Sequence, residues 1–302
     1  MENILTTKQK ISLIAIGVLL LLNVVAWQRV FILVESHYLK VDFLDVGQGD
    51  SIFIETPSLR HILIDGGPGN AVLGQLGKHL PLGQKSLDMI ILTHPDSDHL
   101  NGLLQVIEKY KVDYIVWTGI VRGGSQYQLW LRLLEKARES GSKIIIAKLG
   151  SKIKNGQVAM DIINPLTSVY GQDFRPKNND NDTGIVLHLT YGKNTFLFTA
   201  DISSIIESKL LEIKANLASD VLKIAHHGSK YSSLKGFLQV VHPRLAVISV
   251  GAHNTYGHPT PIVLQRLQDL NITTLRTDQN GTVEILSDGQ NLKVSKEKTQ
   301  NN

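Results

Sequence analysis

The segment from Asp88 to Gly102, DMIILTHPDSDHLNG, carries an apolar run straight into His94-Pro95-Asp96-Ser97-Asp98-His99, four potential ligands for a divalent ion in six residues. Pro95 disfavours helical backbone at His94 and keeps that first side chain on an extended stretch. Such a loop can send His94 and Asp96 to one ion and Asp98 and His99 to a neighbour. A solvated Asp/His turn is the plain alternative. Further pieces follow in order, however: Asp201 closes TFLFTAD, His226-His227 close DVLKIAHH, and His253 and His258 lie in VISVGAHNTYGHP. Each comes after an apolar run, the position at which α/β proteins build an active-site edge. A carboxylate such as Asp201 can bridge two ions while imidazoles complete their coordination. Two ions about 3.5–4 Å apart would hold one water as hydroxide and neutralise charge building on the centre it attacks. No side-chain nucleophile is then required, and the chain has neither cysteine nor a GxSxG elbow.

These side chains need rigid elements behind them. Strand candidates are 39–45, 51–55, 61–65, 88–92 and 113–117, then 143–147, 158–163, 185–190, 195–200, 220–225, 245–250 and 281–286; most are β-branched and bounded by Gly, Pro, Asn or Asp. Helix-like stretches lie at 71–80, 99–110, 126–139, 202–217, 231–241 and 260–270. In 126–139, Tyr127, Trp130, Leu134 and Ala137 share one face, a stripe expected to be core. Apolar residues make up 42% of the 302 and charged residues 19%, which excludes wholesale disorder. The absence of cysteine excludes disulfide staples, thiolate zinc sites and iron–sulfur ligation. A net charge of +4 permits a polyanionic partner without demanding one.

Residues 11–34 are apolar enough to cross a hydrocarbon core of about 30 Å as one helix, with Arg29 placed to snorkel. No small-x-small cleavage site stands out, so an uncleaved anchor is expected. It would be preceded by a cytoplasmic tail at 1–10 and followed by a hydrolase domain at 38–290 and a flexible tail at 291–302. Lys8 and Lys10 before the span lean towards an inside N-terminus, a single-pass cell-membrane location and an extracellular domain.

A second ring of residues invites weighing. The glycines beside Gln48 permit a tight turn, and Asp50 could hydrogen-bond a ligating histidine from behind, with Asp65 weighed beside it as a supporting or substrate-facing residue. Ordinary turn chemistry is the alternative. Ser229 could hold a phosphate near a helix start, or simply cap. Lys223, with the other lysines near this edge, reads by default as solvated.

Together these motifs resemble the metallo-β-lactamase-fold hydrolases, and within them the hydrolase domain of ComEC-type competence proteins. The superfamily pattern T-H-x-H-x-D-H reads here Thr93-His94-Pro95-Asp96-Ser97-Asp98-His99, with Asp replacing the second His as in the competence group. FLDVGQGDS (43–51), ILIDGG (62–67), NDTGIVLHL (181–189), FTAD (198–201), KIAHHGSKYSS (223–233) and SVGAHNTYGHP (249–259) add to the likeness, which covers about 39–287. It implies an α/β, four-layer αββα sandwich after one transmembrane helix. It also implies metal binding by His94, Asp96, Asp98, His99 and Asp201, with His226 or His258 as the last ligand. His227, or whichever of that trio is unused, would donate a proton, and Asp98 and His227 are the expected catalytic pair. The family's third histidine for the first ion is missing. Asn181-Asp182-Thr183 stands in its place, so Asn181 or Asp182 would complete a weakened first site, and His188 would face core or solvent. A donor set with more carboxylate makes Mn²⁺ a rival to Zn²⁺ in a centre of one or two ions.

The implied function is a membrane-anchored, metal-dependent nuclease or phosphodiesterase acting on DNA. Two alternatives stand beside it. One is hydrolysis of another ester, lactone, amide or thioester, since this fold carries many chemistries. The other is a catalytically weak DNA-binding module on the same scaffold, recognisable by salt-sensitive binding without turnover.

Overall fold

Side-chain alternation along the strands decides where the layers meet. In a computed structural model of the protein, which describes residues 6–35, 38–174 and 180–298, one set of strand faces fills a core between two sheets. The opposite faces pack under helices. Val158, Met160 and Ile162 point inward, as do Phe196 and Phe198, while Leu197 between them joins the helix-side core. Burial on both faces is why several strands read as nearly continuous apolar runs.

The chain opens with α1 (Thr7–Glu35), β1 (Leu39–Phe43), β2 (Ile52–Glu55), β3 (His61–Ile64) and α2 (Ala71–His79). It continues through β4 (Ser86–Ile91), α3 (Ser97–Lys109), β5 (Lys111–Trp117), α4 (Ser125–Glu139) and β6 (Lys143–Ile146). The second half holds β7 (Lys152–Asn155), β8 (Val158–Asn164), β9 (Val186–Tyr191), β10 (Asn194–Phe198), α5 (Ser204–Glu212) and β11 (Val221–Lys223). It closes with α6 (Lys235–Val241), β12 (Leu245–Ile248), α7 (Pro261–Asp269), β13 (Thr273–Arg276), α8 (Thr277–Asn280), β14 (Val283–Ser287) and β15 (Leu292–Lys296). One sheet runs β15-β14-β1-β2-β3-β4-β5-β6 and the other β13-β12-β11-β10-β9-β8-β7. In each, an antiparallel part gives way to a parallel one: β3 to β6 in the first, β10 to β13 in the second. Helices α2, α3 and α4 cover the first sheet and α5, α6 and α7 the second, so the expected αββα sandwich is present.

Several expectations need correction. The tail expected to be flexible contains β15, which pairs with β14 from Leu292↔Ser287 to Lys296↔Val283; residues 299–302 lie outside the described residues. The helix expected over 202–217 stops at Glu212, because the chain turns at Lys214 with φ 51°. The one expected from 231 begins at Lys235, because Ser233 has φ 56°. There the Glu207 carboxylate accepts the amide hydrogens of Ser233 (2.6 Å) and Leu234 (2.8 Å). Strands β7 and β13 were not expected; both are short, and their exposed residues break the apolar pattern.

Helix α1 begins at Thr7, so residues 7–10, expected as tail, are helical. Thr7–Gln28 is a candidate membrane span, and none of its most apolar stretch is buried against the rest of the protein. The Arg29 side chain lies outside the described residues.

Glycine backbone locks the first turns of α3 against the loops after β1 and β3. The Asp50 and Gly66 amides donate to the carbonyls of Asp98 (3.2 Å) and His99 (2.8 Å), and Gly102 donates to Gly67 (3.0 Å). A Cβ on Gly102 would lie 1.7 Å from the Gly66 oxygen, a clash with backbone that no rotamer relieves. Gly102→Ala is therefore expected to destabilise the protein by about 3 kcal/mol or more, read as a lower urea midpoint at unchanged slope.

Candidate metal centre

The C-terminal ends of β4, β10 and β11, from both sheets, meet at one edge. After β4, His94 leaves an extended stretch, and Asp98 and His99 occupy the first turn of α3. Asp201 follows β10 through Ala200, which has φ 47°. The short turn after β11 places His226 and His227 both in left-handed backbone, φ 50° and 52°. Non-glycine residues hold that conformation only when their surroundings enforce it. Here it sends two consecutive rings in different directions, 6.3 Å apart and 75° to one another.

Each of three buried imidazoles is held by its Nδ1. His99 donates Nδ1–H to Asp65 Oδ2 at 2.8 Å, and His227 donates to the Ser249 carbonyl at 2.8 Å. His94 Nδ1 lies 3.0 Å from Thr93 Oγ1. That hydroxyl gives its own hydrogen to Asp65 Oδ2 (2.7 Å) and so accepts from His94. Asp65 also takes the Thr93 amide on Oδ1 (2.8 Å), so one fully buried carboxylate orients two histidines. The Nε2 atoms of all three rings are left buried without a hydrogen-bond partner. They point at carboxylate oxygens: His227 Nε2 is 3.3 Å from Asp98 Oδ2 and 3.2 Å from Asp201 Oδ2, and His99 Nε2 is 3.4 Å from Asp201 Oδ2. His94 Nε2 is 3.7 Å from Asp96 Oδ2. Donors sharing one tetrahedral ion at about 2.0–2.2 Å stand roughly 3.3–3.6 Å apart. The residues fit a divalent metal.

The charges agree. Burial raises the Asp98 and Asp201 carboxyls, but His227 and His99 outweigh it and hold both well below the usual range. Burial likewise opposes charge on His99 and His227, yet Asp201 and its carboxylate neighbours hold His99 well above its ordinary value and push His227 to about 10. A set of anions this deeply buried requires cations.

Lys223 is one of those cations and is not solvated as expected: it is fully buried. Its Nζ donates to the Ala200 carbonyl (2.8 Å) and Asp201 Oδ1 (3.3 Å) and pairs with Asp50 Oδ2. Burial works against its charge, but Asp50 and Asp201 keep its pKa raised. The signal was present in the sequence, since Lys223 shares the inward strand face of Val221. Thr93, Arg122 and Asp180 were also missed.

Other expected site residues fall in different places. His227, expected as a proton donor, sits among the ligand atoms, whereas His226, expected as a ligand, lies at the rim with 31% of its side chain exposed and Nε2 3.9 Å from Asp201 Oδ2. The His258 ring meets His226 edge-on at 5.7 Å, outside the buried cluster. Burial leads the causes that lower the pKa of both rim histidines. His253 is exposed, and His188 faces the Ala218 carbonyl (3.1 Å), away from the site. Asp182 uses Oδ1 on the Ser203 amide at the start of α5 (3.0 Å), and the carbonyl of buried Asn181 accepts the Gly184 amide (2.9 Å). Asp180 is the residue of this segment that reaches the metal edge. The Ser229 hydroxyl is turned to the Tyr231 amide (3.4 Å), closer to capping than to phosphate binding.

Asp65→Asn would leave His99 Nδ1–H facing a weaker acceptor or a donor. Loss of such an orienting partner typically lowers metal affinity 10- to 100-fold, and calorimetric titration with Mn²⁺ is expected to show that range.

Residues 44–253 match the family described as the Metallo-beta-lactamase superfamily. The chain is 34% identical over 262 residues to ComE operon protein 3 of Bacillus subtilis, covering 81% of this chain and 32% of that protein. It is 31% identical over 243 residues to Competence protein ComA of Neisseria gonorrhoeae, covering 80% and 31%. The chain thus spans about a third of the length of these curated relatives. Among solved structures, the metallo-beta-lactamase fold protein YhfI from Bacillus subtilis superposes with a TM-score of 0.51 at 12% identity, over 78% of this chain and 95% of that one.

Proposed function

The chain belongs to the metallo-beta-lactamase superfamily, a fold of metal-dependent hydrolases, and from that premise we propose that it is a membrane-anchored nuclease or phosphodiesterase acting on DNA. The observation that carries the hydrolytic reading is the convergence of the buried, unpartnered Nε2 atoms of His99 and His227 on Asp98 and Asp201, with that of His94 in the same cluster against Asp96. His99, His227, Asp98 and Asp201 would hold one divalent ion, and His94 and Asp96 a second beside Asp201. When bound, Mn²⁺ or Zn²⁺ would supply a Lewis acid and a water acidified to near neutrality. Asp65 and the Ser249 carbonyl keep the ring nitrogens aimed, and Lys223 fixes Asp201 so that Oδ2 alone faces the histidines. His226 lies on the open side of the cluster, placed to pass a proton to a leaving oxygen.

The DNA reading is supported by relatedness to a competence protein and by the rim. Tyr256 is 68% exposed and stacks on His258 at 6.0 Å and 17°, a face on which an unpaired base can lie. Helix α1 would anchor the domain on the outer side of the cell membrane, so protease added to intact cells is expected to remove it.

The decisive assay is nucleotide release from single-stranded DNA by the full chain in detergent. EDTA is expected to stop it and added Mn²⁺ or Zn²⁺ to restore it. Activity that survives chelation defeats the metal mechanism; turnover of esters or lactones with DNA left intact replaces the substrate.

A further inference from the structure

Beside His94, the place where the second ion would be held already contains a positive charge from the protein. The Arg122 guanidinium, one-third exposed, pairs with Asp96 Oδ1 and lies 2.9 Å from Asp180 Oδ2. Asp96 turns its other oxygen, Oδ2, to the fully buried, unpartnered His94 Nε2 at 3.7 Å. Asp180 is 6% exposed, and its carbonyl accepts the Thr183 hydroxyl at 2.6 Å, which braces the turn that presents it. The Arg122 loop is braced as well: the Val121 amide donates to the Gln172 carbonyl (2.8 Å) and the Phe174 amide to the Val121 carbonyl (2.9 Å). The guanidinium, on its fixed loop, is a directional hydrogen-bond partner for Asp96 and a close ion-pair partner for Asp180, whose buried Oδ2 has no hydrogen-bond partner. Among the described residues, no arginine pairs with Asp98 or Asp201; the lysine on that side, Lys223, meets Asp50 and Asp201 Oδ1.

We propose that Arg122 is a tethered cation that competes with a divalent ion for Asp96 and Asp180. Asp180 is then the fourth donor of that position, with His94, Asp96 and Asp201, in the segment that lacks a histidine. The position formed by Asp98, His99, His227 and Asp201 holds no arginine, and Lys223 meets Asp201 only through Oδ1, so Oδ2 stays open to the ion and this position fills first. The second ion enters only as Arg122 swings off its carboxylates, so the centre runs on one tightly held ion and one that exchanges. The inference rests on the metal reading of the site given above.

Titration of the full chain in detergent with Mn²⁺, followed by calorimetry and by elemental analysis after dialysis, tests it. Wild type is expected to retain one equivalent and to show a second, weaker step. Arg122→Gln is expected to retain two, with the second Kd lowered roughly 10- to 100-fold, the span for removing a charge-assisted competitor. An unchanged or weakened second step in Arg122→Gln would overturn the proposal, because Arg122 would then support the ligands and not compete with the ion. Asp180→Asn keeps the arginine and is expected to retain the first ion and lose the second step; a second step of wild-type strength in this variant also overturns it. Wild type that takes up no Mn²⁺ defeats the metal reading itself, a result distinct from either of these.

Discussion

Lys223→Met is expected to lower stability by about 3–5 kcal/mol, the usual consequence of removing one partner from a buried ion pair. The Nζ of Lys223 answers Asp50 and Asp201, neither of which is more than 4% exposed at its side chain. Methionine fills the space of the lysine stem, so the loss isolates charge from packing. Urea unfolding reads it directly, and the deficit is expected to shrink when Mn²⁺ is present, because an ion bound by Asp201 supplies part of the missing positive charge. A variant as stable as wild type would mean that Asp50 and Asp201 share a proton instead of a lysine.

Asp98→Ala is expected to act chiefly on function. Asp98 stands in the first turn of α3 with its side chain 25% exposed, and Oδ2 reaches His227 Nε2 at 3.3 Å. On the proposed metal reading, losing a ligand of the first-filled ion would forfeit several kcal/mol of charge stabilisation, so the proposed DNA turnover is expected to fall by at least about a thousandfold. The thermal midpoint should fall less than in Lys223→Met, because Asp201 still faces the His227 ring. Single-turnover nucleotide release gives the first quantity and a melting curve the second; activity within tenfold of wild type would remove Asp98 from the reaction.

The layers were legible in the sequence because the strands are buried on two sides and announce themselves by composition. The HPDSDH loop was equally legible, since four such side chains at the end of an apolar run seldom gather except around a cation. What could not be read was direction. The roles of His226 and His227 depend on two consecutive left-handed residues, and no pattern of side-chain types encodes that. Lys223 was mistaken for a solvated charge because lysines usually are, although its place beside Val221 on a buried face argued otherwise. Arg122 and Asp180 meet only because the β5–α4 loop is tied to the segment at 172–174, a contact between stretches with no local signature. The strands β7, β13 and β15 escaped for a simpler reason: they are short and partly exposed, so alternation had little to act on.

The pairing of Asp50 with Lys223 has a consequence for the order of assembly. One partner sits early in the chain on the loop after β1, the other at the end of β11, and the same division holds between His99 and His227. Contacts so remote along the chain form late, after both halves have taken shape and closed on each other. The donor set is therefore complete only once the ribosome has released the chain beyond His227, although Asp65, Thr93, His94 and His99 meet within the first hundred residues. On the proposed metal reading, capture of the ion by the complete donor set would be a final event of maturation, guarded by topology against premature loading.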